Sequence, residues 1–208
     1  MNFFGHAVVA AWADNRAEHL LGSMLPDFEA MVRVALIAVR DRDIQRGIDL
    51  HHQTDRAFHR APSFVAVCTQ ALAEMTELGV RRGTARAVSH IGTEMFLDGW
   101  LAQKSAHINA YVSALELDIG GRLEWEDEGE AFRHLRERLA TWGAPRHYAE
   151  PGFVLARLAD SLRRRPALAL GHEESLRVAG FLPSMKQRVE RSAPELLQQV
   201  RNGLSVES

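Results

Sequence analysis

Apolar positions recur at helical spacing along almost the whole chain, and no convincing run of strand-like alternation interrupts them. The pattern predicts a helix over Asn2 to Trp12 that is apolar nearly all round, and therefore buried together with His6. A second helix carries His19 to Leu25, and Pro26 is expected to kink or restart it, leaving Asp27 at an irregular point. Met31 to Val39 is a further apolar segment, closed by a charged turn over Arg40 to Asp43. Helices are then expected from Asp43 to before Pro62, Ala61 to Leu78, Thr84 to Gln103 and Ser105 to Ile119. Glu124 to Glu130 reads as an acidic loop carrying Trp125, and Gly143 to Gly152 as a second loop. Ala131 to Thr141, Phe153 to Arg164, Ala167 to Phe181 and Met185 to Val200 complete the helical series, with Asn202 to Ser208 frayed. The expectation is a single all-α domain over residues 1–208.

Polar residues break this pattern at two places. In the helix before Pro62, His51, Asp55 and His59 stand at i, i+4 and i+8, forming one stripe. That stripe points the same way as Ile44, Ile48 and Phe58, with Arg46, Gln53 and Arg60 opposite. His90, Glu94 and Asp98 repeat the spacing on the helix after Gly83, in line with Ala87, Ile91, Leu97 and Leu101. Ser89, Gly92, Phe96 and Gln103 are expected away from that second stripe. An unpaired polar group turned into a core costs roughly 2 kcal/mol or more, so two inward triplets need a shared partner. A metal ion is the simplest one, and a buried salt-bridge and hydrogen-bond network is the alternative. Imidazole and carboxylate donors suit Mn, Fe or Zn, and one or two ions would fit this number of ligands. Such ions lower the pKa of bound water and neutralise a phosphoryl group. His52 is rotated off the stripe, in a position to support a ligand.

Composition adds limits. The chain has 208 residues, 46% hydrophobic and 25% charged, with net charge −2. That balance carries no nucleic-acid footprint. Cys68 is the single cysteine, so no internal disulfide forms. No stretch approaches the ~20 apolar residues of a membrane span. Although Ala11-Trp12-Ala13 faintly resembles a signal-peptidase site, no basic segment precedes it, and a cytoplasmic location is expected. Trp12 and Trp100 are expected in the core, and His107, His134, His147 and His172 at the surface or in loops. Arg81-Arg82 and Arg163-Arg164 are solvated faces that could meet an acidic partner. There is no glycine-rich phosphate loop and no serine nucleophile elbow.

Several stretches resemble one known family. Met1-Asn2-Phe3-Phe4-Gly5-His6 is similar to the Met-Asn-Phe-Leu-Ala-His opening of the acyl carrier protein phosphodiesterases. Gly22 to Phe28 resembles that family's Gly-Asn-Leu-Leu-Ala-Asp-Phe, and Gly47 to Asp55 its Gly-Ile-x-x-His-x-x-x-Asp. Glu94-Met95-Phe96-Leu97 falls where the family has Asp-His-Phe-Leu, and Leu162 to Leu168 and Phe181-Leu182-Pro183 resemble its Arg-Arg-Pro-x-Leu and Phe-x-Pro elements. The resemblance implies an HD-phosphohydrolase-like helix bundle, manganese-dependent, that hydrolyses the phosphodiester joining 4'-phosphopantetheine to acyl carrier protein. It also implies that His6, Asp27, His51 and Asp55 are ligands or their close supports. His59 stands where an acidic residue is expected, and His90 and Glu94 stand where the family tends to have aspartates, all keeping metal-binding character. The combined expectation is one metal centre built from His6, Asp27, His51, Asp55, His59, His90 and Glu94, with Asp98 and His52 in catalytic roles. Two alternatives stay open: a metal phosphohydrolase for another small phosphodiester or nucleotide, and a non-enzymatic helical protein with a structural metal or polar network.

Overall fold

The structure is a computed structural model that describes residues 1–103 and 105–206, with only the backbone of Ser105, His107 and Val206 described. The expectation for His107 concerns a side chain outside the described residues, as do Glu207 and Ser208 from the expected frayed end. The architecture is all-α apart from one small sheet. Two compact units are present, each made from two stretches of chain: residues 1–56 with 101–145, and residues 57–100 with 146–208.

The first unit contains α1 (Phe3–Ala10), α2 (Ala17–Val32), α6 (Ser105–Glu116) and α7 (Glu130–Trp142), together with most of α3 (Arg42–Arg60). Every residue of α1 is buried, as an all-apolar helix requires. Its Phe3 and Phe4 meet Tyr111 of α6 with ring centroids 6.1 and 5.2 Å apart, and Phe28 of α2 joins Phe3 at 5.8 Å. Pro26 does not restart α2: the helix continues to Val32 through Leu20, Leu21, Met24, Leu25 and Phe28, all fully buried. Packing of that face outweighs the hydrogen bond lost at one proline. Arg33 then closes α2 in the left-handed conformation.

Parts of the stretches expected as an apolar segment and an acidic loop form two strands, β1 (Leu36–Val39) and β2 (Leu123–Trp125). They pair antiparallel, Leu36 opposite Trp125 and Val39 opposite Leu123, with an irregularity between Leu36 and Ala38. Leu123 and Trp125 turn inward while Glu124 faces solvent, and Trp125 stacks on Phe132 at 4.5 Å. Runs this short are decided by a partner strand distant in sequence.

In the second unit, the end of α3 is followed by α4 (Pro62–Glu77), α5 (Arg82–Leu101), a 3-10 turn (Arg146–Ala149), α8 (Pro151–Arg163) and α9 (His172–Val206). The two helices expected after Ala167 are one helix, and the expected frayed end is helical to Val206. Val178, Leu182, Met185, Val189, Ala193, Leu196 and Val200 keep an unbroken buried stripe through Pro183 and Pro194, which both lie on the exposed face. Arg188 of α9 binds both carboxylate oxygens of Glu74 on α4, at 2.8 and 2.9 Å.

Candidate metal centre

Three helices of the first unit bring His6, Asp27 and His51 together, with one ligand atom from each lying within 4.8 Å of the others. Two glycines make this close approach possible. Gly22 on α2 faces Gly47 on α3, and a Cβ on Gly47 would lie 2.2 Å from the His19 carbonyl oxygen and 2.8 Å from the Gly22 Cα. Backbone therefore rests on backbone between α2 and α3, which sets Asp27 against His51. Apolar spacing alone does not reveal this pair. Its one signal was glycine inside two helical patterns, where each costs about 1 kcal/mol relative to alanine.

Within the cluster, His51 Nδ1 lies 2.9 Å from the Ser23 carbonyl oxygen. A carbonyl only accepts, so Nδ1 carries the proton and Nε2 presents a lone pair. Metal-binding histidines are held by this kind of backing. The His6 and His51 rings stack with centroids 3.8 Å apart and planes 25° from parallel. Burial pushes the His6 imidazole down to about 3, against the pull of Asp55. His6 is therefore neutral at neutral pH. Burial also lowers His51, opposed by the Ser23 carbonyl and Asp55.

Asp55 Oδ1 lies 3.2 Å from His6 Nε2 and 2.8 Å from the Met1 amino group, and Oδ2 lies 3.9 Å from His51 Nε2. Burial would raise the Asp55 carboxyl, but the contacts with His6 and the Met1 ammonium outweigh it and hold the group well below the usual carboxylate range. Although Nε2 of His6 is near Asp55, neither His6 ring nitrogen makes a hydrogen bond of good geometry. Two neutral imidazoles and the Asp27 carboxylate thus converge, with Asp55 against His6, a donor set that fits a divalent first-row metal.

The second unit holds another group. Nε2 of His59 and Nε2 of His90 each lie 3.3 Å from Glu94 Oε1. Their rings are nearly parallel, 5.0 Å between centroids, and Phe64 meets both edge-on at 5.3 and 5.2 Å. Burial would raise the Glu94 carboxyl, but positive charge and its two histidine contacts together outweigh it and hold the group well below the usual range. Burial pushes the Cys68 thiol up to about 11, so it offers no thiolate ligand at neutral pH.

The expected residues therefore gather as two groups, one in each unit. The inward stripe of α3 is Ile44, Gly47, His51, Thr54 and Phe58; Ile48 is half-buried, and the Asp55 and His59 side chains sit at its edge, each 35% exposed. On α5, Ser89, Gly92 and Phe96 are buried rather than turned away, because this helix is covered on nearly every side between Val88 and Leu101. Asp98 is fully buried, His52 is exposed with its ring edge-on to His51 at 5.4 Å, and His90 is half-buried. Trp12 and Trp100 are half-buried rather than core residues, while His134, His147 and His172 are exposed as expected. Arg82, Arg163 and Arg164 are exposed, and Arg163 binds Asp160 at 3.1 Å. Arg81 is engaged within its own unit by Glu174, at 3.0 and 2.8 Å, and by the Ala167 carbonyl. Among the described residues, no helix is long and apolar enough to cross a membrane. No family model, no curated protein and no solved structure matches this chain.

Proposed function

We propose that this protein is a metal-dependent phosphodiester hydrolase whose metal is held by His6, Asp27, His51 and Asp55. The observation that carries the reading is the first-unit cluster, above all His51, whose Nδ1 proton is committed to Ser23 so that Nε2 is left for a cation. Manganese is the favoured ion, with iron or zinc as alternatives, since imidazole with carboxylate suits all three. When bound, such an ion supplies an acidified water and positive charge beside a phosphoryl oxygen. The chain's own part is to keep both imidazoles neutral by burial, to keep Asp55 ionised and to fix the helices that carry them. His52 lies beside the cluster and exposed, where its imidazole can reach the leaving group as a general acid or base.

The substrate reading follows the resemblance carried by Met1 to His6, Gly22 to Phe28 and Gly47 to Asp55. On that reading the substrate is holo-acyl carrier protein, and the products are 4'-phosphopantetheine and the apo protein. Exposed Arg82, Arg163 and Arg164 are offered as contacts for an acidic partner. Metal analysis after purification without chelator, followed by incubation with holo-acyl carrier protein and mass spectrometry, tests both parts. Loss of the pantetheine arm by wild type and not by His51→Ala supports the whole reading. Hydrolysis of a simple aryl phosphodiester without action on the carrier protein moves the substrate to another small phosphodiester or nucleotide. Metal-free, well-folded protein ends the metal reading.

A further inference from the structure

We infer that His59, His90 and Glu94 form a second cation site, loaded separately from the first-unit cluster, for a divalent transition metal of the zinc or iron(II) type. Two imidazole nitrogens each 3.3 Å from the same carboxylate oxygen are too far apart for a strong charge-assisted bond, which closes to about 2.7–2.9 Å. They do match coordination: ligand bonds of about 2.0–2.1 Å at tetrahedral angles set neighbouring donors roughly 3.3–3.4 Å apart. All three ligand atoms lie within 4.8 Å of one another. The near-parallel rings are separated by 5.0 Å, which leaves their nitrogens side by side, and Phe64 restrains both from one flank.

Two histidines and one carboxylate favour a transition metal over magnesium or calcium, which prefer all-oxygen sites. Three protein donors leave at least one coordination position open, the pattern of catalytic rather than structural zinc. The His59 and His90 side chains are 35% and 45% exposed, so solvent and small anions reach that position. The site therefore takes a metal with a replaceable water, and an anionic oxygen ligand such as a phosphoryl group or carboxylate can displace it.

The test uses full-length protein stripped with chelator and dialysed, then titrated with Zn²⁺ against a chromophoric competitor. Wild type is expected to bind two equivalents, and His90→Ala and His51→Ala one each. Glu94→Gln keeps the side-chain shape and is expected to weaken the second equivalent by about 100-fold or more. Loading with Co²⁺ should give tetrahedral visible absorption that persists in His51→Ala and disappears in His90→Ala. Unchanged stoichiometry and affinity in both His90→Ala and Glu94→Gln overturns the inference. A single equivalent lost only in His51→Ala also overturns it and leaves the proposed hydrolase centre standing. A single equivalent lost only in His90→Ala supports this site and removes the other.

Discussion

Replacing Gly47 by alanine tests the contact on which the first-unit cluster depends. The new Cβ would fall 2.2 Å from the His19 carbonyl oxygen, 2.7 Å from the Ser23 nitrogen and 2.8 Å from the Gly22 Cα, all backbone atoms. Ordinary heavy-atom contact is roughly 3.5 Å, so α2 and α3 must part by roughly 1 Å, and no flexible side chain is there to yield. Overpacking of this kind costs about 1–3 kcal/mol, and rigid backbone places it at the upper end. Alanine returns about 1 kcal/mol of helix propensity, which leaves a net loss of about 2 kcal/mol. With a urea slope of about 2 kcal/mol per molar, the midpoint should fall by about 1 M. The same exchange at Gly180 in α9 meets nothing within 4 Å of its Cβ, so Gly180→Ala should stabilise by about 0.5–1 kcal/mol. Urea unfolding followed by circular dichroism reads both variants, and metal titration of Gly47→Ala should show weakened binding because Asp27 and His51 move apart. Equal or greater stability for Gly47→Ala than for Gly180→Ala would refute the backbone contact.

Further outcomes follow from the same geometry. Stability of the metal-free protein should fall on acidification from about pH 6.5 towards 3. The reason is that His6 binds its proton near 6.5 when unfolded but only at about 3 when folded. The unfolded chain takes up more protons in that window, so each such group contributes a slope of up to about 1.4 kcal/mol per pH unit. His51 is lowered as well and acts in the same direction. Urea midpoints measured between pH 7 and 5 should therefore decline, and His6→Gln should flatten the decline; a flat wild-type profile would contradict the buried neutral imidazole. Saturating Mn²⁺ at about 100 times its Kd should add about 2.7 kcal/mol, or roughly 5–10 °C in thermal unfolding for a chain of this size, reversed by chelator. In the second unit, Glu174→Ala removes the carboxylate gripping Arg81 and should speed amide exchange at Arg81 and at the start of α9, readable by hydrogen-exchange mass spectrometry.

Much of the helical order is legible in the sequence because apolar spacing is a local property. The burial of α1 and His6, the extent of α3 and α4, and the loop before α8 all follow from it, the last apart from its 3-10 turn. Candidate ligands are legible too, since histidine and carboxylate at four-residue spacing beside an apolar stripe stand out without coordinates. What misled the local reading was punctuation. Pro26 and Pro183 look like breaks, yet each lies inside a continuous helix. A proline removes one hydrogen bond, whereas a buried stripe as long as that of α9 gains from every contact along it.

Other features were decided only by tertiary structure. β1 and β2 exist because Leu36–Val39 finds Leu123–Trp125, a pairing between distant stretches of chain. The division of the expected ligands into a His6, Asp27 and His51 group and a His59, His90 and Glu94 group has the same origin. Helical spacing tells which side chains share a face of one helix and is silent about which helices meet. By itself the sequence determined the helices and the donor chemistry, because both reside in short-range pattern and residue type. The folded chain decided the grouping, through the Gly22–Gly47 backbone contact and the Ser23 carbonyl that selects the His51 tautomer. Those depend on distances between segments that no local periodicity encodes.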